Sequence, residues 1–414
     1  MKWYKIESIE TEDREEQVYN IEVEDNNNYF ADEFLVHNCY ANSFRASLYS
    51  SFFDNARLMG LRHCDPGYFK RELDKLMKYR GQKVQGVKDV IKAVSLEIPM
   101  RFGIRFEDFI AIEGKKKVSL ALLKYLAEQE YPLMINTKSD LVGREDYVRV
   151  LSDNKAGTAV HLTMITSNRK LEKDLEPGAP SFRKRIGACK NLSQEGIKVV
   201  ARIEPFMIFL NDHKEHIDEY MEFLKWAGIQ YLTFDTYSYS AQAPGIREAF
   251  KRVGYDFHRM FYAMSDVQWL GSLILGKMMD YFRLNGFKCS TFDFGNVSFN
   301  DDDLCCSVDD VFGDYGYNRG NILSGARLIV HRGLEKTPWS VFENWVKEGG
   351  GFLSERLKKE VRALWSLESK NAYQLDWIPG LVCNGVEEGD LVWSYDESIP
   401  DFRQEMFDHF RRNL

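Results

Sequence analysis

Between residues 93 and 234, short apolar runs alternate with longer amphipathic ones. No other feature constrains the fold as much. Runs 93–98 (stopped by Pro99), 132–137, 159–165, 197–203 and 229–234 have the length and β-branched content of buried strands. Between them, 120–129, 146–151, 181–195 and 215–227 carry apolar residues at helical spacing. Gly196 and Gly228 stand where a helix C-terminus needs a left-handed residue. Intervals of this length suit crossover helices, so the strands are expected to run parallel in β/α units. The fold class is therefore α/β, a full or partial (β/α) barrel, with functional groups at the C-terminal ends of strands.

Outside that region the signals are sparser. A helix is expected over 68–79, a longer one over 264–284 closing near Gly286, and others over 353–367 and 402–412. Residues 289–325 are polar, aromatic and Gly-rich. The chain has 414 residues, enough for about two to three domains. With 44% hydrophobic and 29% charged residues it reads as globular. The apolar run 269–275 is too short for a membrane span. The charged N-terminus has no signal-peptide core, so a cytoplasmic location is expected. A net charge of −8 argues against a broadly basic nucleic-acid coat and leaves room for a local basic groove. The seven cysteines are scattered, which argues against a disulfide framework.

Residues 1–38 are too few to bury a core of their own. Short strands are expected at 3–6, 18–23, 29–31 and 34–36, with turns at Asn26-Asn27-Asn28 and Asp32-Glu33. This run ends on His37-Asn38-Cys39. An Asn side-chain amide can attack its own backbone carbonyl, close a succinimide and release the downstream chain. His37 can protonate the leaving amine. The Cys39 thiolate can accept an acyl group. The alternative is a small hairpin appended to the next domain. On these residues, 1–38 resembles the C-terminal half of a split intein, a small all-β (Hint) fragment. Asn27 stands where that family usually has a second His.

From Cys39 onward a second resemblance is carried by short segments. Cys39-Tyr40-Ala41 resembles the end of a CxxxCxYCYA motif. Thr137-Lys138-Ser139 follows a strand, Glu176-Pro177-Gly178-Ala179-Pro180-Ser181 precedes a helix bearing Arg185, and Leu210-Asn211-Asp212 comes later. Over residues 39–240 these segments resemble the radical S-adenosylmethionine (SAM) enzymes, in the subfamily that includes spore photoproduct lyase. The resemblance implies a 4Fe–4S cluster and SAM as cofactors. Such a cluster needs three thiolates with one iron left open, and the matching motif here retains Cys39 alone. The intein resemblance implies where the others are: on a second polypeptide, an N-terminal extein fused to the N-terminal intein half. Splicing would complete the motif and the first barrel strand.

The expected domains are thus a split-intein fragment (1–38), a radical SAM barrel lacking its first strand (39–240) and a mostly helical region (241–414). The resemblance implies His37, Asn38 and Cys39 for splicing and Cys39 as a metal ligand. It implies SAM contacts from Tyr40, Ser95, Glu97, Lys138 and Thr163. Each has a plainer reading: Lys138 as a solvated lysine, Thr163 and His161 as core residues. Glu176 can cap a helix or pair with Arg185. Cys289, Cys305 and Cys306 can ligate an auxiliary cluster, donate hydrogen, or simply be buried. Lys115-Lys116-Lys117 and Arg183-Lys184-Arg185 can be solvated or contact nucleic acid, the substrate class the subfamily implies. The competing classes are a barrel hydrolase or isomerase, and a binding protein with a decorative hairpin.

Overall fold

The computed structural model describes residues 28–31, 34–37, 66–84, 87, 89–103, 107–109, 113–176, 178–208, 210–236, 244–254, 268–291, 307–312, 336–348, 362–367, 380–396 and 398. Asn38, Cys39, Tyr40, Cys305 and Cys306 lie outside them, as do the expected strands at 3–6 and 18–23 and the helix at 402–412. Strands β1 (Asn28–Ala31) and β2 (Phe34–His37) pair antiparallel, with Asn28 opposite His37. The expected hairpin of 29–31 with 34–36 is thus present, and its second strand ends on His37. Helix α1 (Pro66–Met77) covers most of the span expected at 68–79, and α2 (Asp89–Ser95) comes after it.

Six strands form one parallel sheet: β3 (Met100–Phe102), β4 (Leu133–Thr137), β5 (Thr158–Thr163), β6 (Lys198–Phe206), β7 (Tyr231–Thr236) and β8 (Lys288–Thr291). Their order across the sheet is their order in the chain. Parallel neighbours need a crossover on one face, almost always right-handed, so consecutive order puts the crossover helices on a common side. Those helices include α3 (Val118–Glu128), α4 (Glu145–Ser152), α6 (Phe182–Gln194), α7 (Lys214–Trp226) and α9 (Gln268–Leu284). In the chain between α4 and α6 stands α5 (Arg169–Leu175), a short helix with no periodic signal in the sequence. Asn168 caps it, accepting from Lys170 N and Leu171 N.

One face of the sheet meets these helices in a continuous core. Leu133, Ile135, Val160, Leu162, Val199, Ala201, Ile203, Leu232 and Phe234 from the strands pack with Leu123, Leu126, Leu192, Leu224 and Phe282 from the helices. Each Val, Leu, Ile or Phe among them contributes about 1.5–3 kcal/mol by leaving water. Because successive strand residues alternate sides, the opposite, inner face carries Arg101, Asn136, His161, Arg202, Glu204 and Thr233. Gly228, at φ 74°, ends α7 by the expected left-handed turn.

Two expectations need correction. Residues 93–98 are not a strand. Helix α2 occupies their first part and the strand comes after Pro99. The helix closes with Ile98 N donating to Ala93 O (3.0 Å) and Glu97 N to Val94 O (3.1 Å). Glu97 supplies the left-handed residue, at φ 55°. Glycine usually fills that position, so the stop signal was absent from the sequence. The sheet also passes residue 240, where a domain boundary was expected. After α8 (Pro244–Arg252) and α9, β8 joins β7 in register from Tyr231 opposite Lys288. The region beyond 240 also holds α10 (Trp339–Glu348) and an antiparallel hairpin, β9 (Leu381–Glu387) with β10 (Asp390–Tyr395). Trp339, Phe342, Trp365 and Trp393 form its buried aromatic centre, with Phe342 and Trp365 stacked at 5.0 Å. Of the expected helix 353–367, the described part is a short 3-10 turn, Ala363–Trp365. Among the described residues, no helix is long and apolar enough to cross a membrane.

Candidate functional site at the C-terminal rim of the sheet

The backbone brings β3 and β4 unusually close just past β3. Gly103 sits at φ 74°, and a Cβ there would lie 1.8 Å from the Asn136 carbonyl oxygen. Only glycine satisfies both conditions. Gly103 N donates to Asp108 Oδ2 (2.6 Å). Next to it, the Glu107 carboxylate accepts from Thr137 Oγ1 (2.6 Å), Lys138 N (2.7 Å) and Phe109 N (3.0 Å). Burial pushes the Glu107 carboxyl up, and these donors offset only part of that. Glu107 thereby fixes the backbone of Thr137-Lys138-Ser139 where β4 ends.

Lys138 turns its ammonium to Glu176, 3.0 Å away. The other oxygen of Glu176 meets Arg185 Nη2 at 2.6 Å, and the same nitrogen meets Glu172 at 2.9 Å. Arg185 Nη1 donates to the Thr163 carbonyl (2.7 Å), at the end of β5. The Arg185 side chain is wholly enclosed, and Glu176 is 1% exposed. Two cations thus face two carboxylates, with Arg185 and Glu176 enclosed and the Lys138 side chain one-third exposed. Burial draws the Glu176 carboxyl upward, yet Arg185 and Lys138 outweigh it and hold the group down at about 2. The expected pairing of Glu176 with Arg185 is present. Asn211 ties the next two loops together: Nδ2 donates to Ile165 O and Pro205 O (both 3.1 Å), and Oδ1 accepts from Met207 N (2.8 Å).

The residues expected to contact SAM are not all together. Lys138 and Thr163 end adjacent strands, since Thr137 pairs with Leu162. Ser95 and Glu97 lie before β3, at the opposite edge of the sheet. Ser95 Oγ donates to Lys92 O (2.7 Å), and Glu97 pairs with Arg80. Their placement is a result of the misassigned strand 93–98. Tyr40 and Cys39 lie outside the described residues.

Sequence reasoning missed the inner-face groups. With its amide oxygen turned toward the guanidiniums, Asn136 accepts from Arg101 Nε (2.8 Å) and Nη2 (2.7 Å) and from Arg202 Nη1 (3.1 Å). Arg202 also pairs with Glu204, which accepts from Thr233 Oγ1 at 3.1 Å. His161 lies beside Asn136 in register, 1% exposed, and its Nε2 has no hydrogen-bond partner among the described residues. Burial, then Arg202, Arg101 and Lys198, hold the imidazole well below its usual range, so it is neutral. The available signal was period-2 spacing: Arg202 and Glu204 alternate with apolar residues on one strand, as His161 does on its neighbour.

Cys189 and Cys289 are buried, Cys189 with its thiol pushed up by burial, and Cys383 is exposed on β9. Among the described residues no group of three potential metal ligands comes together. These three cysteines therefore do not by themselves form a cluster site.

No family model matches the chain. An uncharacterized protein of Methanocaldococcus jannaschii is 32% identical over 149 residues, 36% of this chain and 56% of that protein. An uncharacterized protein of Mycobacterium tuberculosis is 22% identical over 131 residues, 32% of this chain and 38% of that protein. The chain thus spans about half the length, or less, of these curated relatives. Among solved structures it is similar to spore photoproduct lyase complexed with dinucleoside spore photoproduct, at 17% identity and TM-score 0.32, over 45% of this chain and 51% of that one. It is also similar to Streptococcus suis SuiB bound to precursor peptide SuiA, at 17% identity and TM-score 0.33, over 63% of this chain and 56% of that one.

Proposed function

We propose that this chain supplies most of a radical SAM enzyme with a partial (β/α) barrel, built on the C-terminal rim of the parallel sheet. One observation carries the reading. The described residues of three separate segments that resemble that family, Thr137-Lys138-Ser139, Glu176 to Ser181 and Leu210-Asn211-Asp212, all fall on the same rim. There Lys138 and Glu176 form an ion pair (3.0 Å). In this reading SAM lies over the ends of β4 and β5, near Lys138 and Thr163, and supplies radical chemistry when reduced by the cluster. Lys138 is already engaged by Glu176, so it acts as half of an ion pair and not as an isolated cation. Cys39 provides one thiolate, and three are needed. The remaining two belong to a second polypeptide. A nucleic-acid substrate is part of the subfamily resemblance, and the net charge of −8 gives it no support.

The test is anaerobic reconstitution, then electron paramagnetic resonance of the reduced protein, with and without SAM. The chain alone is expected to show no SAM-perturbed cluster signal, and the chain joined to its partner is expected to show one. Absence of that signal in the joined product would remove the enzyme reading.

The joining step we assign to protein splicing at Asn38-Cys39, on the strength of the His37-Asn38-Cys39 sequence and the β1–β2 hairpin that ends on His37. Asn38→Ala is expected to block release of residues 1–38 after a partner half is added. Cys39→Ala is expected to block ligation while leaving slow cleavage. The order of steps is the reason: acyl transfer onto Cys39 precedes succinimide formation at Asn38. Mass shifts on a denaturing gel read the outcome, and full-length spliced product from Asn38→Ala would refute the assignment.

A further inference from the structure

The inner face below the rim holds an arrangement that the enzyme reading does not use. Arg101 from β3 and Arg202 from β6 reach across the sheet to one amide oxygen, that of Asn136 on β4. Two guanidinium groups sharing one neutral acceptor repel each other. Glu204 answers Arg202. Among the described residues no carboxylate pairs with Arg101. Arg101 therefore enters the group without a carboxylate of its own. Beneath it, His161 is fully enclosed, and its Nε2 has no hydrogen-bond partner among the described residues. A buried polar atom left unpaired costs about 1–3 kcal/mol, and native structures rarely leave one without a reason.

We infer that Arg101, Asn136, His161 and Arg202 form a site for a compact oxyanion, a carboxylate or phosphate group of the substrate. A guanidinium presents two parallel N–H groups that match two oxygens of such an anion. The anion would give Arg101 a partner of opposite charge and His161 Nε2 an acceptor, with the neutral ring donating. The site starts below the rim and reaches up to it: Asn136 and His161 pair in register, while Arg202 pairs with Thr163, two residues nearer the rim. The rim cation Lys138 is already paired with Glu176, whereas among the described residues Arg101 has no carboxylate partner. The assignment to substrate rests on the enzyme reading above. The existence of the site does not.

Calorimetric titration of the full chain, without iron or SAM, tests it. The probes are sodium phosphate and sodium succinate at ionic strength fixed with chloride. Saturable 1:1 binding of at least one probe is expected, weakened roughly tenfold or more by Arg101→Gln, as befits loss of a charged hydrogen-bond pair. Arg101→Gln strands no buried carboxylate, so the variant keeps its fold, and His161→Phe is a second variant with the same expected direction. Preference for phosphate or for succinate tells which oxyanion the substrate carries. Absence of saturable binding, or affinity unchanged in both variants, overturns the site. Displacement of the bound probe by SAM would show that the oxyanion is the cofactor's own carboxylate, which overturns the substrate assignment. If the resonance experiment fails while phosphate or succinate still binds, the enzyme reading falls and the site stands.

Discussion

Arg185→Met is expected to lower the stability of the folded chain by about 3–5 kcal/mol at pH 7, the cost of removing one partner from a buried ion pair. Methionine keeps most of the volume and apolar stem, so packing changes little. What it removes is the charge between Glu172 and Glu176 and the donor to the Thr163 carbonyl. Lys138 still faces Glu176, and Glu172 loses its guanidinium partner. Arg185→Lys is expected to recover little, because an ammonium cannot reach all three acceptors in the geometry of the planar fork.

The effect depends on pH in a defined direction. In the native chain Glu176 is held at about 2, against an ordinary 4.5. A depressed carboxyl contributes stability that is present above its unfolded value and is lost as pH falls toward its folded one. That window lies between about 4.5 and 2 here. Without Arg185 the burial of Glu176 loses its main counterweight, and the carboxyl moves upward. The gap between native and variant urea midpoints should therefore be widest near neutral pH and should narrow on acidification through that window. A gap that stays constant with pH would mean that Arg185 stabilises by packing and not by charge.

Gly103→Ala is expected to cost about 2–5 kcal/mol, combining two penalties. The positive φ of 74° alone costs an L-residue about 1–2 kcal/mol. The new Cβ, 1.8 Å from a backbone oxygen of β4, forces β3 and β4 apart, and such overpacking costs about 1–3 kcal/mol more. Gly81 supplies the control. It has φ 67° with nothing within 4 Å of its ideal Cβ, so Gly81→Ala pays the conformational penalty alone. Thermal melts of the two variants separate the contributions. If Gly103→Ala melts no lower than Gly81→Ala, the close approach of the two strands is not what holds the rim.

Much of this architecture was legible in the sequence because its signals were local. Apolar runs of strand length separated by Gly-capped helices located β4 to β7 within a few residues, and Gly196 (φ 75°) and Gly228 (φ 74°) mark helix ends as expected. The failures have the opposite cause. At Glu97 a charged residue occupies the left-handed position, so the end of α2 carried no glycine to announce it. β8 is four residues long and comes after a stretch without clear periodicity, so its membership in the sheet is a tertiary fact. The rim was legible as segments and not as a site. Thr137-Lys138-Ser139 and Glu176 stood out, but Glu107, which fixes the first to the sheet, sits between residues of ordinary composition. The convergence of Arg101 and Arg202 on Asn136 joins three separated strands, and no single-strand pattern contains it.

The strand order has a consequence for how the chain assembles. Each strand of the parallel sheet pairs with the strand that precedes it, so no pairing has to wait for a distant part of the chain. Parallel sheets are slow to fold when their neighbours are far apart in sequence. Here the sheet can grow by accretion from β3 onward, each β/α unit docking on a completed edge. The interval from Thr236 to Lys288 is the longest and about twice that from Phe206 to Tyr231. Doubling a loop raises the entropy of closing it by only about 0.6 kcal/mol. The last strand is thus the most weakly coupled to synthesis order but nearly as cheap to close as the others. Growth from one end leaves β3 exposed as the first edge and β8 as the last, the two edges of this sheet among the described residues.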